Sequence, residues 1–155
     1  MSSPDSIFPL DGLDSCDQFD ERVLELPAPT VHLLDNGWLC SLLTAAGGGY
    51  LHDEHRALTR WRPDATCAAG GIYLYLNDLA AGHLFSAAAA PTAGKPDHYS
   101  VAFSPGLARF MRREHSWQSV LEVCIAPTAN VELRRLTLTN LGSETRQIAL
   151  TSYCE

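Results

Sequence analysis

The residues of this chain with the clearest chemical capacity fall into a few groups. Glu122, His83 and His98 supply a carboxylate and two imidazoles, the side chains that carry protons in general acid–base catalysis. A site of the two-carboxylate kind needs its acids held at a defined separation, and spacing along the chain does not show that any of these groups converge. All three fall at positions an alternating strand turns to solvent. His52-Asp53-Glu54-His55 invites a metal reading, but its histidines lie i, i+3 rather than at the i, i+4 spacing of a zinc-protease helix, and no third ligand is specified. A solvated turn is the better reading, and no metal is assigned.

The run Thr44-Ala45-Ala46-Gly47-Gly48-Gly49-Tyr50 could let backbone N–H groups approach an anion. A phosphate loop wants Gly-Lys-Ser/Thr and a helix N-terminus behind it, and neither follows here. A turn between strands is expected instead. Arg60, Trp61, Arg62 and Asp64 combine a planar cation, an aromatic face and a carboxylate, which suits a sugar or a phosphate. The same set suits an Arg–Asp bridge pinning a loop beside a half-buried tryptophan, and that structural role is favoured.

The elements that must position these groups read as strands. From residue 31 onward the chain breaks into short β-rich runs separated by Gly, Pro, Asn and Asp. Trp38 to Thr44 is apolar on both faces, and Ile72, Leu74 and Leu76 alternate with Tyr73 and Tyr75, so both runs are expected to be central strands. Asn77 to Gly82 separates the second from His83 to Ala87 and reads as a hairpin loop. Tyr99, Val101 and Phe103 share one face, as do Trp117, Leu121, Val123 and Ile125.

In Val131 to Asn140 the apolar phase changes between Leu133 and Leu136, which predicts a bulge near Arg134-Arg135. A last run carries Ile148, Leu150 and Cys154, and the chain stops within it, as a fragment would. Before residue 31 the Ser-, Pro- and Asp-rich start is expected to be disordered, and Pro27-Ala28-Pro29 to be a stiff separator. Between them Cys16, Phe19, Val23 and Leu26 fall at helical spacing, predicting one short helix within a linker over residues 1–30.

Composition sets the outer bounds. At 155 residues the chain is about one domain long, and a fold of this size buries roughly 68–70% of its unfolded surface. Hydrophobic residues at 46% and charged residues at 19% place it with globular rather than disordered chains. The formal charge of -7, with scattered Lys and Arg, lacks the basic stripe that nucleic-acid binding requires. No apolar run reaches the 18 or so residues that span a bilayer, and the acidic start carries no signal pattern, so a cytoplasmic location is expected. Cys16, Cys40, Cys67, Cys124 and Cys154 are odd in number and contain no C-x-x-C pair; they read as reduced thiols, with Cys40 and Cys124 as small hydrophobes in strands.

Several separated motifs then point the same way. The Asn36-Gly37 turn, the strand leading into Gly47-Gly48-Gly49-Tyr50, and Thr59-Arg60-Trp61-Arg62-Pro63-Asp64 are followed by Gly71 to Asp78 and Pro96-Asp97-His98-Tyr99. Val131 to Asn140 and Leu150 to Glu155 complete the series. In order and content these motifs resemble the N-terminal β-sandwich domain of glycoside hydrolase family 94, in particular the phosphorylase-like region of cyclic β-1,2-glucan synthases. The resemblance covers about residues 31–155.

It implies an all-β, antiparallel β-sandwich forming the first portion of a galactose-mutarotase-like supersandwich. In relatives that domain stands beside an (α/α)6 barrel holding the catalytic residues, so the barrel is expected in cis or in trans, and no catalytic residue carries over. The implied role is a non-catalytic, carbohydrate-associated scaffold without a cofactor, with β-glucan or another oligosaccharide as ligand and a second copy as candidate partner. If part of a larger glucan synthase, it would lie on the cytoplasmic side of the inner membrane. Gly47, Gly48, Gly49 and Tyr50 would form a loop at the barrel's mouth, where Tyr50 could stack on sugar or else plug the core. A stand-alone carbohydrate-binding module and a mutarotase-like enzyme built on His83, His98 or Glu122 are the alternatives.

Overall fold

The computed structural model describes residues 16–60, 70–92 and 94–155. These form the strands β1 (Asp17–Asp20), β2 (Val31–Asp35), β3 (Leu39–Thr44), β4 (Gly49–Asp53), β5 (Ile72–Asp78), β6 (His83–Ser86), β7 (His98–Ser104), β8 (Leu107–Glu114), β9 (Trp117–Ile125), β10 (Glu132–Asn140) and β11 (Ile148–Cys154). All pair antiparallel, in a five-stranded sheet ordered β1-β7-β8-β9-β10 and two three-stranded sheets ordered β11-β5-β6 and β2-β3-β4. As expected, β3 and β5 are central in their sheets, and β5 and β6 form a hairpin.

One core joins the three sheets. Val101, Phe103, Phe110, Leu121 and Val123 from the five-stranded sheet meet Leu34, Leu39 and Leu43 from one small sheet and Leu76 and Phe85 from the other. The large sheet thus forms one layer and the two small sheets the opposing one, a sandwich whose inward faces alternate with outward ones along every strand.

The short helix expected over Cys16 to Leu26 is present as a 3-10 helix in the second half of that range, and the first half forms a strand. β1 pairs with β7 through Asp17↔Phe103 to Asp20↔Ser100, and a 3-10 helix follows at Glu21–Glu25, capped by Asp20, whose side chain accepts from the Arg22 N–H at 3.1 Å. Phe19 packs on Phe103 with ring centroids 5.9 Å apart, and Val23 is buried. Both therefore face the core as the period implied. What the period could not show is that β7 offers an unpaired edge, whose ladder bonds outweigh those of a lone helical turn.

The bulge expected near Arg134-Arg135 is absent. β10 pairs with β9 in unbroken register from Glu132↔Ile125 to Asn140↔Trp117. Leu136 and Leu138 pack on the main core, whereas Leu133 faces the other side of the sheet with Leu107 and Cys124. The inward positions before Leu136 are filled by charge. Arg134 Nε donates to Glu132 Oε1 at 2.7 Å, Arg134 Nη1 to the Ile72 carbonyl at 2.6 Å, and Ser41 Oγ to Glu132 Oε2 at 2.6 Å. A satisfied ion pair tying all three sheets together thus stands where an apolar pair was expected.

Candidate functional site

The Gly-rich run closes the β3–β4 turn. Gly47 N–H donates to the Thr44 carbonyl and Thr44 N–H to the Gly48 carbonyl, each at 2.8 Å. Gly47 has φ +91, which favours glycine, and a Cβ there would overlap the Ala88 Cβ. A Cβ on Gly49 would strike the Leu42 carbonyl oxygen. The three glycines are buried, so their absent side chains serve backbone approach inside the fold, and the run is no open anion cradle.

Tyr50 lies on the other side of this sheet from the core. Its register partner Leu42 pairs in turn with Leu33, whereas the core receives their neighbours Leu34, Leu43 and Leu51. Leu33, Leu42 and Tyr50 therefore form a row across the outward face, with Leu33 58% exposed. Tyr50 is half-buried and stacks on His52 with centroids 5.2 Å apart and planes at 28°. Strand alternation thus turns Tyr50 away from the main core.

Arg60 arrives beside this row. The Gly49 N–H donates to the Gly70 carbonyl at 3.2 Å, and a Cβ on Gly70 would lie 2.8 Å from the Arg60 carbonyl oxygen. Arg60 N–H donates to the Glu155 carbonyl at 2.8 Å, and Arg60 Nη1 to Glu155 Oε1 at 3.2 Å. Tyr73 braces the junction by donating its hydroxyl to the Gly70 carbonyl at 2.7 Å, and burial pushes its pKa up to about 12. The structure thus places Gly47, Gly48, Gly49 and Tyr50 on one turn and strand, with the Arg60 backbone reaching Gly49 through Gly70 and its guanidinium paired with Glu155. Trp61, Arg62 and Asp64 lie outside the described residues, as does Cys67.

The candidate acid–base groups do not meet. His83 Nε2 lies 2.7 Å from Glu114, and His98 Nδ1 4.0 Å from Glu21. Glu122, expected at an exposed position, is buried under Arg109 and Arg135, whose guanidinium groups reach its two oxygens at 2.6 and 2.7 Å. Burial pushes the Glu122 carboxyl up, but the bonds from Arg135 and Arg109 outweigh it and hold its pKa below the usual range. Asp78 is likewise held low, by hydrogen bonds from the Trp117 indole and Arg146. A general acid working near neutrality needs the opposite shift, so neither carboxylate is set up as that acid.

In the His52–His55 segment Asp53 Oδ1 accepts from the backbone N–H of His55 and Arg56 at 2.8 and 2.6 Å. That is the expected turn. Cys40 and Cys124 are buried, and burial pushes both thiols up, away from the reactive thiolate.

Sequence reasoning missed Arg112, which is fully buried on the inward face of β8. Its Nε and Nη2 donate to Glu114 Oε2 at 3.0 and 2.8 Å, and its Nη1 to the Ala88 carbonyl at 2.8 Å. The available signal was the i, i+2 spacing of Arg112 and Glu114 after the inward Phe110, which puts all three on one strand face.

The fold and these residues together define an antiparallel β-sandwich in which Glu122 and Asp78 are engaged by arginines and Tyr50 stands in an outward row. A family model described as glycosyl hydrolase 94, supersandwich domain, matches residues 21–155. The chain belongs to that family. It is 34% identical over 123 residues to the cyclic beta-(1,2)-glucan synthase NdvB of Rhizobium meliloti (strain 1021), an alignment covering 79% of this chain and 4% of that protein. It is 24% identical over 136 residues to the N,N'-diacetylchitobiose phosphorylases of Vibrio proteolyticus and Vibrio furnissii, covering 84% of this chain and 17% of each of them. The chain therefore spans a small part of the relatives it matches. Among the described residues no helical barrel is formed, and no helix is long and apolar enough to cross a membrane.

Proposed function

We propose that this domain is a non-catalytic, carbohydrate-associated scaffold of a glucan-synthase-like or glycoside-phosphorylase-like protein, and that its Tyr50 face borders a catalytic (α/α)6 barrel supplied in cis or in trans. One observation carries this reading: Tyr50 stands outward in a row with Leu33 and Leu42, on the strand whose Gly49 bonds the Gly70 carbonyl. An outward aromatic face flanked by apolar side chains is suited to sugar or to a partner surface. Trp61, Arg62 and Asp64, which the chain carries between Arg60 and Gly70, belong to the same proposed border. The names of the relatives support a β-linked glycan as the material handled by the whole protein.

The test is titration calorimetry of the purified chain with β-1,2-gluco-oligosaccharides, alongside an assay for sugar phosphate release from the same glycans with inorganic phosphate. The scaffold reading expects no turnover and no saturable heat at millimolar sugar. Saturable heat lost in both Tyr50→Ala and Trp61→Ala would replace it with a stand-alone carbohydrate-binding module, and turnover by the purified chain would overturn it.

A further inference from the structure

We propose that His83, Glu114 and His115 form a zinc site that staples the two layers of the sandwich. His83 opens β6 in one small sheet, while Glu114 ends β8 in the large sheet and His115 begins the tight turn into β9. One ligand atom from each of the three lies within 4.8 Å of the others. His83 Nε2 is 2.7 Å from Glu114 Oε1, and the two imidazoles meet edge to face with centroids 4.7 Å apart. Zinc bonds of about 2.0–2.1 Å to nitrogen and oxygen require ligand atoms roughly 3.3 Å apart.

The β8–β9 turn and a buried ion pair fix two of the three groups in place. His115 has φ 53, the one non-glycine residue with positive φ among the described residues. Its N–H is held there by Asp97 Oδ2 at 2.6 Å. Glu114 pairs with Trp117, so His115 is the first of the two residues in a hairpin turn that requires positive φ there, and histidine is among the side chains found in that region. Secondly, Glu114 is buried and its oxygens are divided. Oε2 takes both bonds from Arg112, at 3.0 and 2.8 Å, and Oε1 is the atom turned to His83. Arg112 therefore orients the carboxylate as an outer partner orients a metal ligand.

Two imidazoles and one carboxylate, with no thiolate, suit zinc and leave a fourth position for water, since His115 is exposed. Arg112 opposes a second positive charge, and its pairing with Glu114 leaves the site near neutral before metal enters. Asp78 is the register partner of His83 but is engaged by Trp117 and Arg146. The site is therefore weaker than one built from several free carboxylates, and its role is to join β6 to the β8–β9 turn.

The test is a zinc titration of the full chain, thiols kept reduced, in competition with a chromophoric chelator, with thermal melting followed in parallel. His115→Asn tolerates the backbone conformation, and His83→Gln retains a donor toward Glu114, so one serves if the other fails to fold. The expected result is one zinc per chain, an upward melting shift in the unsubstituted protein, and in either variant an affinity loss beyond the roughly 10–100-fold that follows loss of an outer partner. Failure to compete with the chelator, or zinc binding that survives both substitutions through His52, His55 or an exposed thiol, overturns the proposal.

Discussion

Strand β9 runs between β8 and β10 with nearly all of its residues buried, whereas β11 pairs in equally unbroken register with β5 and leaves all but its first residue exposed. Both strands carry the same kind of apolar alternation, Leu121 and Val123 in one, Ile148 and Leu150 in the other. The difference lies in what covers them. Over β9 the inward side chains enter the core, and even the outward Glu122 and Cys124 are sealed by Arg109, Arg135, Leu107 and Leu133. Over β11 nothing comparable lies among the described residues, and Leu150 and Tyr153 stay 55% and 44% exposed. Period two thus specifies pairing, and elements distant in sequence specify burial.

If burial in the large sheet is what holds the sandwich together, the largest loss should come from its most enclosed charge. Arg112→Leu leaves the Glu114 carboxylate buried without its counter-ion and removes the donor to the Ala88 carbonyl. Breaking one side of a buried pair costs about 3–5 kcal/mol. Urea unfolding should show that loss, and a double change of Arg112 and Glu114 to apolar residues should restore much of it. A cost under about 1 kcal/mol would mean that the charges on β8 are solvated and that the two regions differ less than described.

The next largest effect should depend on pH. Because the folded Glu122 pKa lies below its unfolded value, its contribution is fully present above the unfolded value of about 4.3 and is lost as pH falls through the folded one. Glu122→Gln should cost about 1.5–3 kcal/mol at neutral pH, the scale of hydrogen bonds to a charged group. The variant should also lose stability less steeply than the unsubstituted protein as acid is added below about pH 4. Parallel acid-unfolding curves for the two proteins would show that the Arg109–Glu122–Arg135 bridge contributes nothing.

The same contrast explains which parts of the molecule were legible in sequence. β3, β5 and the β5–β6 hairpin were readable because apolar residues mark their faces and Gly or Asn marks their ends. β8 escapes the apolar period because its inward positions after Phe110 are Arg112 and Glu114. β10 suggested a bulge for the same reason, with Glu132 and Arg134 inward. A buried ion pair looks like a solvent face until its partners are known, and those lie 24 residues away at Ala88 and 62 at Ile72. The candidate site divides in the same manner. Residue type marked Gly47 to Tyr50 and Arg60, but their adjacency depends on Gly70 and Glu155. Nothing in local spacing links His83 to Glu114.

The smallest effect should fall on β11. Leu150→Ala at a buried position would cost about 2–5 kcal/mol, through lost transfer energy and the cavity left behind. Here the leucine is more than half exposed and pairs across the ladder with Leu76, whose own side chain is fully buried and retains its core contacts. The backbone bonds to β5 do not depend on the side chain, so the expected change in the isolated chain is within about 0.5 kcal/mol by urea unfolding. A loss above 2 kcal/mol would show that Leu150 is covered in solution by something that seals β11 as β10 seals β9. Sedimentation of the same sample would then separate the cases: a concentration-dependent dimer abolished by the substitution identifies a second copy as the cover, and a monomer assigns it to the chain's own remaining residues.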